Sequence, residues 1–460
     1  MSFSSWLIRR WWFWVVALLL ALLLLTALTI RLTGQAAWTR EQAAARAEGL
    51  PVTFAELVAS APVVDAKQQE YLWNWSRSVD YQERWQPDGD DAWDFTPLWN
   101  HPDAFDLAHV PAKRLADGPE MGGELAELSA ILDAGPVHWG GFGWLRQNCP
   151  PPAMADAHGV MELRSASAVA LHTAAQVYAQ QALGGADPLA LRHLDALLAA
   201  LRMAAEPLEA EEYAQVAHYR DWCQLLLLAR GRLPPERIQA WLSEPNEVVQ
   251  ITVRAFATQR VLVFVCADER ASGSTMTSAK GSSRVYGLMP LVDHLFLQHE
   301  IAQWSRHWRA MALALHSGSA LPSRSPSALF DYLPHHQAVN RMYHQFAAYD
   351  VEASAAVITA AHQHRLLRAA ARVVLAWRDG ALPTDQAAAE ALKGVDLRAV
   401  PPLLPPLVYE RLSPTRFRLG TASLPAGPGD LAPGTGQPVG LSPAVAFPKS
   451  LELDCAALVP

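Results

Sequence analysis

Three groups of histidines carry the residue types most suited to chemistry: His294 and His299 in "DHLFLQHE", the adjacent His335 and His336, and His362 with His364 in "HQH". Imidazole is the commonest metal ligand and the usual acid or base near neutral pH. Two metal ligands on one helix need a spacing of about four residues, as in H-E-x-x-H, and none of these groups offers it. On a helix, His362 and His364 point to nearly opposite sides. His299 and His307 share a face away from the apolar stripe of their helix, so both are expected in solvent.

Nucleophile chemistry finds no better footing. There is no G-x-S-x-G, no S-x-x-K in a suitable setting, and no cysteine with a local catalytic signature. Cys149, Cys223, Cys266 and Cys455 are too few and too scattered for a disulfide scaffold or a zinc ribbon. One or two bridges, or buried free thiols, are both compatible with their positions. "GPGDLAPGTGQPVG" is glycine-rich but has neither the Walker lysine nor a following helix. No catalytic, cofactor-binding or metal-binding residue is assigned on these grounds, and no cofactor is expected.

The elements that would have to position any site begin with a membrane segment. Between Trp11 and Ile30 there is no charged residue, and about twenty residues at about 1.5 Å each match the hydrocarbon core of a bilayer. Trp11, Trp12 and Trp14 crowd one end as an interfacial belt, and Arg9, Arg10 and Arg31 bracket the run. The apolar core is too long for a cleaved signal, and Gly34 to Ala37 make a poor cleavage site. An uncleaved single-pass anchor is expected, with a short basic tail inside and a large domain outside. An arginine-rich, lysine-poor composition, high in Ala, Leu, Pro and Trp, suits a GC-rich bacterium, so the expected location is the inner membrane with the large domain in the periplasm. A formal charge of −8 and a pI of about 6.1 exclude an electrostatic nucleic-acid binder.

The spacing predicts a mainly α fold of stacked antiparallel helix pairs, with a loop-rich Trp segment and a small strand pair in a Pro/Gly-rich tail. The division is a cytoplasmic tail at 1–10, the anchor at 11–30, a helical stalk at 31–64, an aromatic and loop-rich segment at 65–157 and a helical hairpin block at 158–270. A polar loop follows at 271–284, then a second helical block at 285–380 and the C-terminal segment at 381–460. The stalk should stop at Gly49, and Thr53 with Glu56 forms a capping box for the next helix. Leu191, Leu194, Leu198 and Leu201 form a buried stripe. Val216, Tyr219, Cys223 and Leu226 form another, opposite an expected polar face of Glu211, Glu212, Gln215 and Asp221. Leu297, Ile301, Trp304, Trp308, Met311 and Leu315 alternate by four and three, and Leu366, Ala370, Val373 and Trp377 continue the theme.

"HRLLRAAARVVLAWRDGALPTDQAAAEAL" followed by "LVYERLSPTRFRLGTAS" resembles the ending of a group of uncharacterised, membrane-anchored helical proteins of bacteria, and is similar to the globular part of secretion pseudopilins. "EGLPVTFAELVASAP" is similar to the early part of the same group. The resemblance implies an arginine-bearing helix, a Gly-x-Leu-Pro turn, a short helix and a strand pair; it carries over no catalytic residue. "AVPPLLPPLVY" departs from the group, which has Asp-Pro before its hairpin. The expected function is a non-enzymatic helical scaffold that offers a face, including the polar side of the Asp187 to Glu206 helix, to another envelope protein. The competing expectation is an envelope hydrolase or ligand-binding protein that uses the tryptophan platform between Pro87 and Pro152.

Overall fold

A computed structural model describes residues 3–53, 56, 72, 75, 119–135, 171, 174–175, 177–179, 181–182, 188–202, 207–273, 289–317, 358, 360–392, 394–395, 397, 404–421 and 450–456. Its longest element, α1 (Phe3–Ala47), is one unbroken helix of 45 residues, about 67 Å at 1.5 Å per residue. Arg10–Ala47 is the one described helix long and apolar enough to cross a membrane, by length and composition. Its first half exposes Leu18, Leu20, Leu23, Leu24 and Leu25. From Gly34 the same helix buries a stripe through Trp38, Glu41 and Ala45. Gly49, in the left-handed region at φ 74°, ends it: Leu50 N–H donates to Ala45 O at 2.9 Å and Gly49 N–H to Arg46 O at 3.0 Å, which satisfies two of the last carbonyls. Thr53 Oγ1 then accepts from Glu56 N–H at 3.1 Å, while the Glu56 carboxylate accepts from Val52 N–H at 2.7 Å, one residue earlier than the standard capping box has it.

The body is mainly helical. It contains α2 (Pro119–Asp133), α3 (Pro188–Leu201), α4 (Pro207–Ala229), α5 (Pro235–Ser243), α6 (Val248–Gly273), α7 (Met289–Ser317), α8 (360–378) and the short α9 (Gln386–Glu390). Proline opens α2, α3, α4 and α5, where its missing N–H is one of the unbonded donors in any case. One contiguous core runs from Trp38 through Leu194, Leu226, Phe256, Trp308 and Val373 to Leu453. The stripes at Leu191 to Leu201, Ile301 to Leu315 and Leu366 to Val373 are buried as their spacing requires.

Three strands, β1 (Leu407–Arg411), β2 (Arg416–Thr421) and β3 (Ser450–Asp454), form an antiparallel sheet in the order β1-β2-β3. Leu407 pairs with Thr421, and Arg416 with Asp454. Leu407, Tyr409, Phe417, Leu419, Leu451 and Leu453 lie on the buried face, and Glu410, Arg416, Arg418 and Glu452 form ion pairs on the other. The expected pair is thus a triplet. Its third strand comes from the last residues of the chain, beyond a Pro/Gly-rich stretch that hides the connection. The turn before the sheet matches expectation: Gly380 follows α8, and Asp385 caps α9 by accepting from Ala388 N–H at 2.9 Å. Gln386 then bonds β1 from the side, with its Oε1 accepting from Tyr409 N–H at 2.6 Å.

Candidate functional site

Asp221 lies near the middle of α4 and is fully buried. α4 was expected to turn Asp221, Glu212 and Gln215 to solvent. Instead Glu209, Glu212, Arg220 and Asp221 are buried and Gln215 is half-buried, while the Glu211 side chain lies outside the described residues; Asp195 of α3, Trp241 of α5 and His364 of α8 supply partners for Arg220 and Asp221. One Asp221 oxygen accepts from the Trp241 indole N–H of α5 at 2.7 Å and lies 3.3 Å from Arg220 Nη2. The other faces His364 Nδ1 of α8 as an ion pair.

Around this centre the charges alternate in sign. Glu244, just past α5, accepts both arms of the Arg220 guanidinium at 3.2 and 2.7 Å, the fork geometry that makes arginine–carboxylate pairs strong. Arg202 reaches Glu244 at 3.3 Å and Glu247 at 2.8 Å, and Arg368 Nη2 lies 3.7 Å from Glu244. Asp195 of α3 takes Arg237 at 2.6 Å and lies 3.7 Å from Arg220. His364 and Arg368 are four residues apart, so one face of α8 delivers both.

Burial alone would raise the Asp221 carboxyl, but His364, Arg220 and Arg368 outweigh it and hold the group well below the ordinary carboxylate range. Burial alone would lower Arg220; Asp221 and Glu244 reverse that and raise it. His218, one turn before Trp222, is pushed down to about 4 by burial. Its Nε2 accepts from the Trp222 indole N–H at 2.9 Å, which fixes the neutral tautomer with the proton on Nδ1. His362 is likewise pushed down to about 4 by burial, helped by Arg365.

α8 also closes the ends of other helices. Arg378 donates to the Leu228 carbonyl at 3.1 Å, Arg372 to the Leu242 carbonyl at 3.4 Å, and Arg368 to the Glu244 carbonyl. Leu228 lies in the last turn of α4, and Leu242 and Glu244 at the end of α5, where carbonyls lack helical partners and cations are favoured. Gly394, at φ 82°, lies against the Arg372 guanidinium; a Cβ there would come within 2.6 Å of its Cζ.

The histidines expected in solvent are elsewhere. His307 is buried beside Trp304. His299 Nε2 lies 3.1 Å from Thr33 Oγ1 and 3.1 Å from the Ile30 carbonyl oxygen of α1. His362 and His364 do point apart, but both sides of α8 are covered and both rings are buried. His335, His336, Cys149 and most of the tryptophan-rich segment lie outside the described residues, as do the side chains of His294 and Cys266, while within that segment Pro119–Asp133 is helix rather than the expected loop. Cys223 and Cys455 are buried free thiols. Burial, reinforced by Asp221, pushes the Cys223 thiol up to about 12, so it stays protonated and is no nucleophile. No three metal-ligating side chains converge among the described residues. On α3, Arg192 pairs with Asp133 at 2.6 Å and Asp195 with Arg237 at 2.6 Å, and the Arg192 and Asp195 side chains stay 65% and 37% exposed.

The arrangement therefore lends itself to holding α3, α4, α5 and α8 in fixed register. The sequence signal for it was available in the arginines at 365, 368, 372 and 378 on one helix, and in adjacent Arg220 and Asp221 inside an otherwise apolar run. Set beside known protein families, curated proteins and solved structures, the chain matches none of them.

Proposed function

We propose that this chain is a single-pass, membrane-anchored helical scaffold of the bacterial envelope, with its large C-terminal domain in the periplasm. Its stacked antiparallel helix pairs would present a fixed surface to another envelope protein. The observation that carries this reading is the way α1 joins the body. No hinge separates the apolar half of α1 from the half that packs in the core.

The junction is bolted rather than tethered. Glu41, 2% exposed, receives Arg309 of α7 at 2.8 and 3.1 Å and the Ser305 hydroxyl at 3.3 Å. Arg309 also pairs with Glu48, and Arg260 of α6 donates to Ser305 at 3.2 Å and to the Pro51 carbonyl. A tether that only retained an enzyme at a surface would need none of this; a body whose orientation matters to a neighbour in the same membrane does.

Reporter fusions after Gly34 and after Pro460 test the topology. Activity of both reporters outside the cytoplasm is expected, and cytoplasmic activity of both refutes the reading.

A further inference from the structure

We infer that the first turns of α7 enter the interfacial layer of the same bilayer, beside α1, so that the body is attached to lipid by a second element. The inference rests on the reading of α1 as a spanning helix. It starts from two contacts that fix the relation of the two helices. Near one end, the His299 ring of α7 meets α1 at Ile30, Thr33 and Gly34, where a Cβ on the glycine would come within 2.9 Å of the ring. Near the other, Arg309 meets Glu41 and Glu48. Both helices advance in the same sense between these contacts, so they run parallel.

α7 does not start at His299. It begins at Met289, and ten residues at 1.5 Å each carry it about 15 Å further toward the N-terminal, apolar end of α1. His299 sits where α1 leaves its uncharged run, at Ile30. The start of α7 is therefore level with the interior of that run, near Leu23, some 10 Å below the boundary. A helix alongside α1 at that level, in a membrane that α1 spans, has lipid as its surroundings.

The sequence of the projecting part suits that place. "MPLVDHLFLQ" is mostly apolar, with Asp293, His294 and Gln298 as its polar members and no Lys or Arg, so most of its side chains gain from leaving water. Pro290 stands in the first turn, where its missing N–H costs nothing. At this depth Leu22, Leu23, Leu24 and Leu25 make a full exposed turn of α1, so the start of α7 stands off from α1 rather than covering it. Both elements thus require the same apolar medium.

The test uses the full-length protein in nanodiscs that contain a phospholipid with a diazirine on a headgroup-proximal acyl carbon. After illumination, lipid adducts are mapped by fragmentation mass spectrometry, so no substitution is needed. Adducts are expected on residues 11–30 and on residues 289–298, with at least tenfold fewer on residues 305–317. Adducts on 11–30 with none above the 305–317 background on 289–298 would overturn the inference and leave the anchor standing. Absence of adducts from 11–30 would remove the anchor reading and this inference with it.

Discussion

Replacing Asp221 with alanine should be among the most damaging single changes in the body. Asp221 is 0% exposed, and the change leaves His364 facing no anion and the Trp241 N–H without its acceptor at 2.7 Å. Arg220 keeps Glu244, so the deficit falls on the side nearest α8. Breaking a buried ion pair from one side costs about 3–5 kcal/mol, because the remaining charge stays desolvated, and the orphaned indole donor overlaps with that figure rather than adding to it. Asp195→Ala is the matched control: its side chain is 37% exposed, so its pairs should contribute less than about 1 kcal/mol. Urea unfolding of the full chain in mild detergent, followed by far-ultraviolet circular dichroism, measures both. A double-mutant cycle of Asp221→Ala with His364→Ala should show coupling of at least about 1 kcal/mol. An Asp221→Ala variant within about 1 kcal/mol of the parent, or a cycle with no coupling, would refute the assignment of Asp221 as the centre of the cluster.

Acid should weaken the fold in a defined window. His218 and His362 are pushed from 6.5 down to about 4 in the folded state, so the unfolded chain binds the extra protons between those values. The stability each contributes is full above about 6.5 and lost as pH falls through about 4, roughly 3 kcal/mol apiece; a pH series of urea midpoints that stays flat across the window would contradict this. Glu41→Ala removes the acceptor of Arg309 and Ser305 and should cost about 1–3 kcal/mol locally, with amide exchange rising in residues 36–48 but not in α4. Gly394→Ala forces a Cβ into a left-handed position and displaces Arg372 from the Leu242 carbonyl, so it should destabilise by about 1–3 kcal/mol. It should exceed Gly49→Ala, where no atom lies within 4 Å of the added group, and thermal unfolding of the two variants ranks them.

What the sequence discloses depends on where the partners lie. The stripes of α3, α7 and α8 were legible because each faces a single core side and repeats at the helical period. The long apolar helix at the start of α1 was legible because its uncharged run is as long as a bilayer's hydrocarbon core is thick. α4 misled for a physical reason: acids at Glu212 and Asp221 look like a solvent face to any periodicity argument, and the partners that take Asp221 inward, Trp241 of α5 and His364 of α8, lie far along the chain. β3 was missed because Arg418, the strand partner of Glu452, lies 34 residues before it, with the intervening text low in strand signal. His299 and His307 failed similarly, since the surfaces that cover them belong to other segments. The candidate site was therefore nearly invisible residue by residue, although the arginine pattern of α8 announced that something needed cations.

The arginines of α8 also bear on the order in which the chain is made. The carbonyls they close lie 124, 130 and 150 residues upstream, so the ribosome delivers α4 and α5 long before it delivers their terminators. Until residues 360–378 emerge, Asp221 lacks His364 and Glu244 lacks Arg368, and closing the core over them would bury acids short of counter-ions. The nascent N-terminal three quarters of the chain lacks these counter-ions at the seam, so burying its acids there costs desolvation that nothing yet offsets. Translation that halts before α8 yields an unfinished body with exposed apolar stripes, a substrate for proteases rather than a shorter version of the protein.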